Sequence, residues 1–400
     1  MRKFIAITMT LLILSNAYLL YSNYSLKKDV LQEQTTSTPK KKNFMSMMIE
    51  TEAGSGKYQV SSSNTWPTDG YVFNNELSKC EQGSKLSWDD TNKKVVMEGN
   101  VSDKCYVYFD KHVPTVSEYI ISKYNGTQGE NGLYYHDSNL TNGAGDNSYR
   151  YAGTSAAVNN YICLGSNEVT CPDDNLYRII GVFGENNHGI KDQQLVKVIK
   201  NTSIGDIAWN TTKSNDWASA SLNTILNSTF ITEHLSVIED KIAEVSWKVS
   251  GYGPGFATAK TVYTGEITNA TKTHTAKIGL MYASDYGFAT TQDYWTTNLS
   301  SYNKAAKNTD WLLLGSEEWI LLPYSGHNAC GWTIGSGGAA SGNGYDVYVV
   351  TNTYAVRPSF YLTSDVQYSS GSGTSTDPIR IKWYISTLQI LFVKLFYYFL

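Results

Sequence analysis

Residues 311–381 limit what this chain can fold into more than any other stretch. Short apolar–polar alternations, Asp346-Val347-Tyr348-Val349-Val350 and Ala355-Val356-Arg357-Pro358-Ser359-Phe360-Tyr361-Leu362 among them, are separated by Gly, Ser and Asn turns. A two-residue period puts alternate side chains on one face of a sheet, so the segment is predicted to fold as hairpins. Gly335 to Ala340 matches a dinucleotide-binding fingerprint on paper, but Ser341-Gly342-Asn343-Gly344 follows it where a helix would have to start, and it reads as a hairpin loop. The chain carries no G-x-S-x-G, H-E-x-x-H, C-x-x-C or G-x-x-x-x-G-K-[ST]. Its six histidines never pair at i,i+2 or i,i+4, so no metal, cofactor or catalytic residue is assigned. Glu317 and Glu318 are neighbours on a strand and point to opposite faces, which prevents them from acting together on one glycosidic bond.

The start of the chain points to export. Met1-Arg2-Lys3 is cationic and residues 4–20 are mostly apolar, the pattern of a signal sequence. Two outcomes stand open for residues 1–26: cleavage after Ala17, or retention of 4–21 as a hydrophobic helix that anchors the protein in the membrane. Residues 27–43, KKDVLQEQTTSTPKKKN, are a polar linker.

Residues 44–112 read as a small β module, with short strands around Val60, Val72, Trp88, Val96 and Val107. So small a module buries little, and Cys80 with Cys105 is expected to staple it in an oxidising compartment. Residues 113–382 form a larger α+β domain. Thr115 and Glu118 make a capping box for a helix through residue 122 or 123. LYRIIGVF (176–183) and LVKVIK (195–200) make a hairpin, SLNTILN (221–227) is a short amphipathic helix, and 277–282 is a strand followed by a turn capped by Ser284. Cys163 and Cys171 form a second, local disulfide, which leaves Cys330 as a buried small apolar residue. Asp137, Asn139, Asn142 and Asp146 carry calcium-ligand side chains, but their spacing misses the helix–loop–helix pattern and they read as Asx turns. Residues 383–400 are bulky and apolar with Lys394 inside, and are expected not to span a membrane. The fold class is therefore α+β, mostly β.

Composition narrows the partners. Only 17% of residues are charged, against about a quarter in an average soluble domain, and 30 Tyr and 10 Trp stand among abundant Ser, Thr and Asn. A net charge of −4 with no basic stripe excludes nucleic acid. Tyr and amide side chains suit an extracellular glycan or protein ligand, because rings stack on sugar faces and amides hydrogen-bond to hydroxyls.

The order LYRIIGVF, LVKVIK, SLNTILNSTF, KIGLMYASDYG, DWLLLGSEEWILL, GWTIGSG, YDVYVV, YAVRPSFYL, behind the module WPTDGYVFNNELSKCEQGSKLSWDDTNKKVVMEGNVSDKCYVYFDK, resembles uncharacterised exported surface proteins of Gram-positive gut bacteria. They carry a C-terminal domain of unknown function whose closing Trp-rich and Val-Arg-Pro strands are similar to the C-type-lectin-like fold of the formylglycine-generating enzymes. The resemblance covers about residues 44–381 and implies display and binding. Formylglycine chemistry needs a cysteine pair in the closing region, where only Cys330 stands. No Glu-Pro-Asn or Gln-Pro-Asp triplet for calcium-dependent sugar binding occurs. The expectation is a surface-displayed or secreted binding protein in which Trp332, Asn343, Tyr345 and Tyr348 present rings and an amide to a ligand. A wall-polymer hydrolase and a component of a surface fibre are the alternatives.

Overall fold

A computed structural model describes residues 45–253, 257–302, 306–341 and 349–382. The expected N-terminal hydrophobic helix, the linker and the apolar tail lie outside the described residues. Strand (33%) outweighs helix (20%), as an α+β, mostly β chain should, and two disulfides are present. Among the described residues no helix is long and apolar enough to cross a membrane. The chain divides into two compact units, Met1–Val113 and Pro114–Leu400.

The first unit holds β1 (Met45–Glu50), β2 (Tyr58–Val60), β3 (Tyr71–Cys80), β4 (Lys85–Asp89), β5 (Lys94–Glu98) and β6 (Cys105–Lys111). The order β2-β1-β6-β3 makes one sheet, with β1 and β6 parallel, and β4–β5 is a separate hairpin. Alternation in β6 buries Cys105, Val107 and Phe109 and turns Tyr106, Tyr108 and Asp110 away from the core. Among the described residues the buried apolar members of this core are Met47, Val107 and Phe109, and Trp66, Phe73 and Trp88 pack half-buried against them. Cys80 and Cys105 face each other across β3 and β6 and are bonded. With so thin a core, this cross-link carries a large share of the unit's stability.

The second unit adds β7 (Leu133–His136), β8 (Ser148–Tyr151), β9 (Tyr161–Cys163), β10 (Leu176–Phe183), β11 (Leu195–Lys200), β12 (Asp206–Ala208), β13 (Val245–Lys248), β14 (Thr273–Ala276), β15 (Ile278–Gly279), β16 (Glu318–Pro323), β17 (Gly331–Ile334), β18 (Ala340–Ser341), β19 (Thr353–Ala355), β20 (Ser359–Tyr361), β21 (Tyr368–Ser370) and β22 (Ile379–Ile381). One sheet runs β15-β20-β11-β10-β9-β22-β21 with the β7–β8 hairpin joined to β10; a second runs β12-β19-β16-β17-β18; β13 and β14 pair alone. The expected hairpin of β10 and β11 forms, from Tyr177 opposite Lys200 to Phe183 opposite Leu195. Every residue of both strands is buried, because the sheet is covered on both faces. Gly181 is required at the crossing with β8, since a Cβ there would lie 2.2 Å from the Tyr149 carbonyl oxygen.

Helix α1 (Val116–Ser122) opens on the predicted capping box: Thr115 Oγ1 accepts from the Glu118 amide, and the Glu118 carboxylate accepts from the Thr115 amide. The short helix Ser221–Ile225 forms and continues as wider π-wound turns through Leu226–Leu235. Residues 277–282 depart from expectation. Only Ile278–Gly279 is strand, and helix α2 (Ala283–Ala289) starts directly after Tyr282. Ser284 is not its cap. Asp285 accepts from the Tyr282 amide at 2.9 Å, and Glu266 accepts from the amides of Ala283 and Ser284 at 3.2 and 2.7 Å, so two buried acids satisfy the exposed donors of that helix end. Asp137 forms the expected Asx turn, accepting from the amides of Asn139 and Leu140.

Candidate functional site

Four separate segments of the second unit enclose a cleft of about 410 Å3: residues 215–216, 249–251, 265–272 and 323–328. Its frame is backbone. Tyr252, just past β13, donates its amide to the Pro323 carbonyl at the end of β16 (3.0 Å) and accepts from the Ser325 amide (3.2 Å). Ser250 Oγ accepts from the amides of Thr271 and Lys272, both at 2.6 Å. The Asn215 side-chain amide lies within 3.0 Å of the Tyr324 carbonyl oxygen, 3.1 Å of His327's and 2.8 Å of Cys330's, and pins the turn between β16 and β17. Gly265 is needed here, because a Cβ would lie 2.4 Å from the Tyr252 ring.

The cleft surface is made of hydroxyls and amides. Asn269, Thr271, Lys272, Ser325 and Asn328 are exposed along it, with the half-buried Tyr324 ring beside them. Asp216 is the one carboxylate among the lining residues. Such a surface hydrogen-bonds neutral polar ligands and offers a ring face for stacking.

Trp332 stands behind this wall, not in it. The expectation that it presents its ring to a ligand is corrected by its 1% exposure. The indole packs at 6.2 Å from the Tyr252 ring and 6.4 Å from the Tyr324 ring, and its Nε1–H donates to the Tyr252 carbonyl at 3.1 Å. Every residue of β17 is buried, so both faces of this strand are covered and neither could present the indole to solvent. Asn343, Tyr345 and Tyr348 lie outside the described residues. Cys80 with Cys105 and Cys163 with Cys171 are bonded as expected. Cys330 is buried, with its Sγ 3.6 Å from His327 Nδ1.

The residues that sequence reading missed form a buried ionic network. Lys197 Nζ on β11 lies 2.6 Å from Asp285 Oδ2; Arg150 on β8 lies 3.5 Å from Asp285 Oδ1 and 2.8 Å from Asp146 Oδ2; Asn187 donates to Asp146 at 3.0 Å. Burial opposes charge on Asp146, yet Arg150 beside it and the Ser148 and Asn187 hydrogen bonds hold its carboxyl below the usual range. Burial lowers the Lys197 ammonium, with Asp285 working against that. Burial raises Glu266 to about 7 despite its two backbone donors. A second buried pair joins Arg357 to Glu318 by two bonds of 2.7 and 2.8 Å, while Glu317, on the other face, accepts from Thr333 Oγ1. None of Lys197, Asp285, Arg150, Asp146, Glu266, Arg357 or Glu318 lines the cleft. They tie strands to helix α2 and to each other. The only sequence signal was cationic residues inside apolar strands, Arg150 in SYRY, Lys197 in LVKVIK and Arg357 in YAVRPSF, since buried charges need partners.

Compared with family models, with curated proteins and with solved structures, the chain matches none.

Proposed function

We propose that this is an exported protein, secreted or held at the outer face of the cell membrane by its N-terminal apolar segment. Its larger unit is a C-type-lectin-like domain of the kind carried by exported surface proteins of Gram-positive gut bacteria, and it binds a glycan in the cleft. The observation that carries the reading is the cleft lining, in which exposed amides and hydroxyls of Asn269, Thr271, Ser325 and Asn328 stand beside the Tyr324 ring. Sugar hydroxyls pair with such groups as both donors and acceptors, and a pyranose face stacks on a ring. Two disulfides support an oxidising compartment. A hydrolase acting on the same polymer needs an acid and a second carboxylate across the bond, whereas Asp216 stands alone among the lining residues.

Glycan-array binding by the purified protein tests this. Selective retention of one class of oligosaccharide supports it. Retention of none, together with concentration-dependent polymerisation, favours the fibre; turnover of a bound polymer favours the hydrolase.

A further inference from the structure

Lys197 stands in the middle of β11, paired on one side with Gly181 of β10 and on the other with Tyr361 of β20, and it is fully buried. A lysine so deep in a protein keeps its charge only beside a partner. The partner is Asp285 on helix α2, 88 positions away in sequence, whose Oδ2 lies 2.6 Å from Nζ. The rings of Tyr282, Trp247 and Tyr361 close round the amine with centroids at 4.0, 5.1 and 5.4 Å, and they shut water out of the contact. An amine and a carboxyl held together in a dry site are the two halves of an amide. Groups fixed on one frame react as though present at an effective concentration of about 10⁵ M or more, which drives condensation even in a protein surrounded by water.

The neighbours supply what such a condensation needs. Attack on the Asp285 Cγ requires a neutral amine; burial lowers the Lys197 ammonium, and the Arg150 charge works in the same direction while Asp285 and Glu266 oppose it. Attack also turns Oδ1 into an oxyanion. Arg150 Nη1, which has no hydrogen-bond partner among the described residues, lies 3.5 Å from that atom. The departing oxygen requires a proton. Glu266 is held against the helix end by the amides of Ala283 and Ser284, the two residues before Asp285, and burial raises its carboxyl to about 7, so it has a proton to give.

We propose that Lys197 and Asp285 are joined by an intramolecular isopeptide bond that the folded chain forms on itself, with Arg150 steadying the oxyanion and Glu266 relaying the proton. The ammonium first passes a proton to the Asp285 carboxylate. Nζ then attacks Cγ and the C–N bond forms. Glu266 protonates Oδ2, the Cγ–Oδ2 bond breaks to release water, and Glu266 recovers a proton from Nζ. One ammonium and one carboxylate become one neutral amide and one water, Glu266 ends as it began, and no oxidant or cofactor takes part. The bond ties helix α2 to the sheet and, unlike the two disulfides, is not opened by thiols.

Mass spectrometry of the purified full chain, reduced and denatured, tests this. The chain should be lighter by one water than its sequence from the observed N-terminus requires. A tryptic digest should contain one branched peptide in which Lys197 is uncleaved and joined to the segment holding Asp285. Glu266→Gln still offers an oxygen to the two amides but carries no acid proton, and should give a folded chain of full mass. Lys197→Arg keeps a cation beside Asp285 but cannot condense, and should also have full mass. A native chain of full mass whose digest separates the two segments overturns the proposal, as does a water still missing from Lys197→Arg. A folded Glu266→Gln chain that lacks the water overturns the role given to Glu266.

Discussion

Replacing Glu266 by Gln isolates a buried acid whose ionisation falls in the working pH range. Glu266 is 2% exposed, and burial raises its carboxyl from 4.5 to about 7. A folded-state value above the unfolded one means that the fold prefers the protonated acid. The stability contributed by that preference is complete below pH 4.5 and is lost as pH rises through about 7. The full difference corresponds to about 3 kcal/mol, most of which should disappear between pH 5 and pH 8. Gln cannot ionise and still offers an oxygen to the Ala283 and Ser284 amides that Glu266 now serves. Urea unfolding of both proteins at pH 5, 6, 7 and 8 gives the difference in unfolding free energy. Burial pushes the His136 and His188 imidazoles down, and the pH dependence that this adds is common to both proteins and cancels in the subtraction. Glu266→Gln should gain on the native protein by about 2–3 kcal/mol from pH 5 to pH 8. A difference that stays flat would refute the placement of an ionisable acid beneath helix α2.

Three further outcomes follow from named contacts. Cys80→Ser with Cys105→Ser opens a 25-residue separation and should cost the N-terminal unit about 3 kcal/mol, read as a lower denaturation midpoint that reducing agent no longer shifts. Arg357→Met leaves Glu318 buried and unpaired and should cost about 3–5 kcal/mol, whereas adding Glu318→Gln should recover much of it in a double-mutant cycle; full additivity of the two would count against the pair. Trp332→Phe retains a ring but removes the bond to the Tyr252 carbonyl, and should lower stability by about 1 kcal/mol while weakening glycan binding, as thermal melts and titration would report.

The sequence was informative where one short segment settles the matter. Thr115 and Glu118 spell their own cap, the uninterrupted apolar runs of β10 and β11 require a covered hairpin, and Cys163 lies eight residues from Cys171. Trp332 shows the limit. A period of two states that neighbours face opposite ways but not whether either face is open, and here both faces of β17 are covered; the Gly-rich turns beside it read equally well as an exposed tip. The cleft was hidden for another reason: its residues come from segments more than a hundred positions apart, held by backbone bonds such as that from Tyr252 to Pro323. Asp146 and Arg150 are only four residues apart, but Lys197 and Asp285 come from distant segments and no spacing rule connects them to that pair.

The most direct measurement of the central claim is the affinity of the array-selected oligosaccharide for the native protein and for Ser325→Trp, which places a bulky ring at an exposed point of the cleft lining. The account predicts a loss of at least about tenfold, equivalent to about 1.4 kcal/mol, with the melting midpoint unchanged. Undiminished affinity in the folded variant would place the ligand elsewhere and contradict it.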